Sequence, residues 1–187
     1  MGQELPVTSY ALLGLLTFGD ELTGYELKQR ADITLRFYWV SPAMSQIYSE
    51  LARLTEHGLI EAHTAADGNR EVTTYAITDA GRAELRRWMN DTPTGFPVLK
   101  HPVLLRLLMG HAAEPGTIRS MLEDYVTEVT QARAELAEVR EALRGADDVG
   151  EAFHHPSLVA DWGLDYFAAE AQHARATLAR LEGTHDS

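Results

Sequence analysis

Ser45, Gln46 and Ser49 stand close together, each neutral and polar, and none bulky enough to keep a base edge at a distance. A glutamine amide can pair with adenine N6 and N7, and a serine hydroxyl can serve either as donor or acceptor to a base. Ala43 precedes them and leaves room for close approach. Tyr48, between Gln46 and Ser49, either donates to a phosphate or packs under a neighbouring element. Lys28, Arg30, Arg36 and Arg53 supply cations of the kind that clamp backbone phosphates, contacts that position a protein without reading sequence. Arg70 follows Asp67-Gly68, a turn signature, where a side chain reaches a phosphate or a minor groove. Each feature has a plainer explanation, a solvated helix face or a surface arginine on a hairpin. Their order along the chain has to decide.

Other chemistry is thinly represented. Glu170-Ala171-Gln172-His173 has the helical Glu-x-x-His spacing of di-iron bundles, with Asp161 and Asp165 one turn apart nearby. Such sites need a second Glu-x-x-His and further glutamates on facing helices, and the chain has no second copy. No metal or other cofactor is therefore expected. His154-His155 before Pro156 reads as a loop and helix cap. A Gly-rich phosphate loop, a Gly-x-Ser-x-Gly elbow and a His-Glu-x-x-His zinc motif are all missing, so no catalytic residue is assigned. Trp88, Phe153, Trp162, Tyr166 and Phe167 either fill the core or line a pocket for a small molecule, since pockets favour domain junctions with apolar walls.

Charge pulls against nucleic acid. The 187 residues carry a net charge of −12, whereas the usual footprint of a DNA binder is basic. Up to Asp91 there are 8 basic and 13 acidic residues, a balance of −5, and beyond it 8 and 15, a balance of −7. Binding to DNA has to rest on local geometry, including the partial positive charge at the start of the helix bearing Gln46. There is no cysteine, which removes disulfides and thiolate metal sites. The N-terminus lacks the basic start and apolar run of a signal peptide, and no apolar stretch reaches the ~20 residues of a membrane span, so a cytoplasmic, soluble protein is expected.

The elements that would hold these residues can be read in order. An apolar helix runs from Thr8 to about Phe18. Thr23-Gly24-Tyr25-Glu26 is a capping box opening a second helix to about Thr34. Ser41 as N-cap with Pro42 in the first turn predicts a third helix from about Ala43 to His57, stopped by Gly58. In it Ile47, Leu51 and Leu54 define one buried stripe. Leu59–Thr64 and Glu71–Ile77 read as two strands joined at the Asp-Gly turn, and Thr78-Asp79 caps a fourth helix to about Met89. Three helices, a hairpin and a helix make a winged helix-turn-helix domain over residues 1–91.

Thr92-Pro93-Thr94-Gly95-Phe96-Pro97 reads as a hinge. Residues 92–187 are expected to be an α-helical, coiled-coil-like dimerisation domain that can also hold an effector. It begins with a short apolar helix from Pro102 to about His111. From Pro115 to Leu143, Ile118, Leu122, Tyr125, Val129, Ala132, Leu136, Val139 and Leu143 alternate steps of four and three, a heptad seam. A last helix from Pro156 repeats the pattern at Leu164, Phe167, Ala171, Ala174, Leu178 and Leu181. The seam predicts pairing with a second copy, or alternatively a hairpin within the chain.

The first ~90 residues resemble the PadR family of transcriptional regulators. The resemblance is carried by Leu12 to Leu16, Thr23-Gly24-Tyr25-Glu26-Leu27, Ser41-Pro42, the run from Ile47 to Leu54, Gly58-Leu59-Ile60, and the run from Tyr75 to Gly81. Thr23 departs from the His that many members have. The helical second half is similar to the C-terminal domain of the longer PadR proteins. The resemblance implies a homodimeric regulator, usually a repressor, with the third helix in a major groove of double-stranded DNA and the wing near the backbone. It further implies release by a small, often aromatic effector. The DNA contacts would fall to Lys28, Ser41, Ala43, Ser45, Gln46, Tyr48, Ser49, Arg53 and Arg70, on a pseudo-palindromic operator. The acidic balance leaves an alternative, a winged-helix protein–protein adaptor that does not bind DNA.

Overall fold

Leu12, Leu13, Leu16, Leu27, Ile47, Leu51 and Leu54 are all but sealed from solvent, and the first half of the chain folds around them. The computed structural model describes residues 5–19, 21–67, 70–97, 100–145 and 152–183, and divides into two compact units between Gly95 and Phe96. In the first unit, helix α1 (Val7–Leu15) continues as a 3-10 turn over Leu16–Phe18. A two-residue strand β1 (Leu22–Thr23) follows, then α2 (Gly24–Thr34), α3 (Met44–Glu56), β2 (Ile60–Asp67), β3 (Arg70–Ile77) and α4 (Asp79–Asp91). Each fully buried leucine contributes about 2 kcal/mol from water exclusion. The Ile47–Leu51–Leu54 stripe is what presses α3 onto α1 and α2.

Local signals set the element ends. The Thr23 hydroxyl accepts from the Glu26 amide at 3.2 Å, and the Glu26 carboxylate accepts from the Thr23 amide at 2.8 Å, closing the capping box. The Thr78 hydroxyl accepts from the Gly81 amide at 3.0 Å and donates to the Gly58 carbonyl at 2.8 Å, tying the start of α4 to the end of α3. Gly81 must lack a Cβ, because one would stand 2.1 Å from the Leu59 carbonyl oxygen. The antiparallel sheet has the order β1-β3-β2, with Leu22 opposite Tyr75 and Ile60 opposite Ile77. Strand β1 is absent from the sequence reading. This is a winged helix-turn-helix, with α2 and α3 as the helical pair and β2–β3 as the wing.

One expectation at α3 needs correction. Ser41 is not its N-cap: the cap is Ala43, two residues later, and has no side-chain hydrogen bond. The Ser41 hydroxyl donates instead to Asp32 at 2.5 Å.

The second unit contains α5 (Pro102–Leu108), a 3-10 turn over Gly110–Ala112, α6 (Thr117–Ala142) and α7 (His154–Gly183). Helices α6 and α7 run antiparallel, joined near their ends by Arg140 to Asp161 at 2.8 Å and Arg119 to Glu182 at 2.6 Å. Leu122, Val129 and Leu136 are buried on α6, and Ser157, Ala160, Ala171 and Ala174 on α7. Small residues on one helix let the leucines of the other sit close, as knobs in shallow holes. The heptad seam is therefore spent within the chain, the second of the two arrangements it allowed, and does not by itself call for a second copy. Apolar surface remains elsewhere on this unit, at Leu104, Leu105, Leu108 and Met109 and at Leu158, Val159, Trp162 and Tyr166.

Candidate nucleic-acid interface

Because Ile47, Leu51 and Leu54 turn inward, the opposite face of α3 must turn out. Ser45, Gln46 and Ser49 are exposed there, and none bonds another side chain among the described residues. Ala43 is exposed as well, and the leading amides of α3 have neither a capping side chain nor an acidic residue in the first turn. A helix start of this kind favours phosphate. Three unpaired polar side chains beside a bare helix N-terminus offer base-edge and backbone contacts from one element.

Tyr48 is positioned by a glycine. A Cβ on Gly24 would stand 2.7 Å from Tyr48 Cε1, so the ring lies against the start of α2. It also lies near Tyr75 of β3, whose hydroxyl is pushed up by burial and secondarily by the Tyr48 hydroxyl. Tyr48 nonetheless stays 49% exposed.

The candidate cations arrive already paired. Lys28 binds Asp32, one turn on, and reaches the Ser41 hydroxyl at 3.2 Å. Arg53 bonds both carboxylate oxygens of Glu50, at 3.0 and 3.2 Å. Glu50 is buried and also accepts from the Ser9 hydroxyl. Arg30 turns away to the Leu15 carbonyl at 3.2 Å, and Arg36 stacks over Phe37 at 4.5 Å. Arg70 opens β3 opposite Asp67, and its side chain lies outside the described residues. Asp32 and Glu50, which hold these cations, are residues of the candidate site that sequence reasoning missed. Their i,i+4 and i,i+3 spacing from Lys28 and Arg53 was the available signal.

The aromatic candidates are divided between the two units. Trp88 belongs to the first unit, where it stacks on Tyr10 with ring centroids 4.7 Å apart. In the second unit Phe153, Trp162 and Tyr166 are exposed and Phe167 is half-buried, its ring 5.6 Å from Tyr166 in an edge contact. A cleft of about 670 Å³ opens instead between α5 and α6, lined by Val103, Arg106, Thr117, Ser120, Met121 and Tyr125 among others. Beside it Tyr125 donates to Glu170 at 2.8 Å, and His101 Nε2 lies 3.0 Å from the same carboxylate oxygen. His101 Nδ1 accepts from the Leu104 amide at 3.3 Å, capping α5, so Nε2 carries the proton donated to Glu170. Burial raises Glu170, but the bonds from His101 and Tyr125 outweigh it and leave the carboxyl below its ordinary range. Tyr125 is raised by burial and by the carboxylate it faces. Glu170 thus has a structural role, and no cluster of three or more metal-ligating side chains occurs among the described residues.

Known proteins place this geometry. Residues 12–87 match the Transcriptional regulator PadR-like family. The first unit is a PadR-like domain. Residues 99–182 match a second family, Virulence activator alpha C-term. The negative transcriptional regulator PadR of Bacillus subtilis is 42% identical over 84 residues, 44% of this chain and 45% of that protein. The chain spans less than half the length of the curated relatives it matches in sequence. Similarity in structure runs further. Bacillus subtilis PadR in complex with operator DNA superposes with a TM-score of 0.82 at 25% identity, covering 95% of this chain and 99% of that one. The same regulator in complex with p-coumaric acid gives a TM-score of 0.77 at 25% identity, with the same coverage. The PadR-like domain supplies α2, α3 and the wing, and α3 presents the polar face described above.

Proposed function

We propose that this chain is a sequence-specific, DNA-binding transcription regulator that acts as a homodimeric repressor and not as an enzyme. The observation that carries the reading is the outward face of α3, where Ser45, Gln46 and Ser49 are exposed and, among the described residues, unpaired beside an uncapped helix start. In this reading Gln46 reads a base edge and Tyr48 meets the backbone, while Arg70 anchors the wing. Its structural likeness to a relative crystallised on operator DNA supports the same docking. A two-fold dimer presents both α3 helices to one face of the duplex, so half-site centres fall about 34 Å apart or an integral multiple of that. The exposed apolar residues of α5 and α7, in place of the α6 seam, supply the dimer contacts. Among the described residues no helix is long and apolar enough to cross a membrane; in this reading the protein works in the cytoplasm, where its DNA is.

Repression is relieved by a small molecule, aromatic in the first instance, as the p-coumaric acid complex of the relative suggests. The aromatic residues Trp88, Phe153, Trp162, Tyr166 and Phe167 stay candidates for that contact. Selection of bound fragments from genomic DNA tests the main reading. A pseudo-palindromic consensus supports it, and recovery of no enriched sequence at low salt would leave the adaptor alternative standing. Addition of p-coumaric acid and related phenolic acids to the complex tests release.

A further inference from the structure

The passage from α2 into α3 is fastened by one carboxylate. Asp32, in the last turns of α2, binds the Lys28 ammonium and accepts from the Ser41 hydroxyl at 2.5 Å, while Lys28 also reaches Ser41 Oγ at 3.2 Å. The result is a closed triangle of an ammonium, a hydroxyl and a carboxylate, two residues before the uncapped start of the helix that carries Gln46. The Asp32 side chain is its more open charged member, 47% exposed against 23% for Lys28. A phosphodiester needs the same two donors, a cation and a hydroxyl, in the same place. A partly exposed lysine–aspartate pair one helical turn apart adds little to stability, so holding the fold is a weak reason for this arrangement. The Lys28 and Ser41 bonds, with the charge of Arg36 adding to them, hold the Asp32 carboxyl below its usual range, so it is ionised wherever the protein is folded near neutrality.

We propose that Asp32 is an internal stand-in for a DNA phosphate, occupying Lys28 and Ser41 in the free protein and competing for them with the backbone of any duplex. The inference rests on the DNA-binding reading above. When a phosphate takes Lys28, the displaced carboxylate must gather a counterion of its own. Lys28 then adds nothing to net counterion release, and sequence-independent binding is held down. The polar contacts of Ser45, Gln46 and Ser49 release no counterions and are untouched, so Asp32 lowers affinity for every duplex and leaves base contacts a larger share of what remains. Asp32 in this sense sets the electrostatic part of the affinity.

The test is Asp32→Asn in the full chain, titrated at several salt concentrations on the selected operator and on a random-sequence duplex. Asparagine keeps an acceptor for Ser41 and removes the competing charge. Binding to the random duplex is expected to tighten roughly three- to tenfold at 0.1 M salt, and the slope of log affinity against log salt to steepen by about one. Lys28→Ala added to Asp32→Asn should erase both gains. Glu56→Gln is the control for bulk charge: Glu56 ends α3, is exposed, and has no ion-pair partner among the described residues. It should leave the slope where it was. An Asp32→Asn protein with unchanged slope, or with weaker binding to both duplexes, would overturn the proposal and leave Asp32 as a pin for the loop. If the unaltered protein bound neither duplex, the DNA reading itself would fail, and that is seen before any variant is compared.

Discussion

Tyr48 rests its ring on the bare Cα of Gly24, with 2.7 Å between Tyr48 Cε1 and the place where a Cβ would stand. The start of α2 and the exposed face of α3 are registered by that contact. Gly24→Ala is expected to cost about 1–3 kcal/mol by overpacking and to displace the Tyr48 ring from the start of α2. Denaturant unfolding of Gly24→Ala, Tyr48→Ala and the double variant measures it. The double variant should recover part of the loss, since the clash needs both groups; strictly additive losses would dissolve the relationship.

The second unit should depend on Glu170 in a pH-dependent way. Its carboxyl sits below its ordinary range, so its contribution is full above the unfolded carboxylate value, near 4.3, and is lost as pH falls through the lower folded value. Glu170→Gln should destabilise the protein by about 1–3 kcal/mol at pH 7, with the bonds from His101 and Tyr125 weakened. The gap to the unaltered protein should close on acidification below pH 4. A constant gap from pH 7 to pH 3 would mean that the carboxylate charge is not what the network uses.

Dimerisation is expected to follow the exposed apolar residues. Trp162 is 79% and Leu108 78% exposed in the single chain, more apolar surface than an isolated residue explains. Charged replacements, Trp162→Glu and Leu108→Glu, should shift the mass in light scattering from dimer to monomer while helix content by circular dichroism is kept. A dimer unaffected by both would move the interface off α5 and α7.

The wing should act through charge alone. Arg70→Ala is expected to weaken binding to every sequence alike and to lower the salt slope by about one. Dependence of its effect on the sequence of the flanking DNA would show that it reads groove shape instead.

What could be read in the sequence was what neighbours along the chain decide. Thr23 and Glu26 announce the α2 cap, and Ile47, Leu51 and Leu54 fix which face of α3 is buried and so which face is free. Ser41-Pro42 misled because the competing partner of the Ser41 hydroxyl, Asp32, lies nine residues earlier across a turn. Strand β1 is only two residues long and exists because Tyr75 and Thr74 offer it a ladder. The α6 seam was legible as a seam, but a heptad pattern does not say whether its partner is α7 or another chain. The Tyr10–Trp88 stack and the His101–Tyr125–Glu170 network join residues tens of positions apart, and no local spacing signals either. The helical spacing of Lys28 from Asp32 and of Arg53 from Glu50 was visible in the sequence, but only the fold shows the first pair tied through Ser41 to the approach to α3 and the second lying on α3 itself.

If α3 reads bases, Gln46→Ala must change which bases are preferred. Binding of this variant and the unaltered protein is measured on the selected operator and on a panel carrying each single-base change. The expected result is a loss of about 1–3 kcal/mol confined to one base position in each half-site, with preference relaxed there and the salt slope unaltered, because a neutral amide releases no counterion. Affinity and preference unchanged on every member of the panel would contradict the account, and the docking of α3 in the major groove would have to be abandoned.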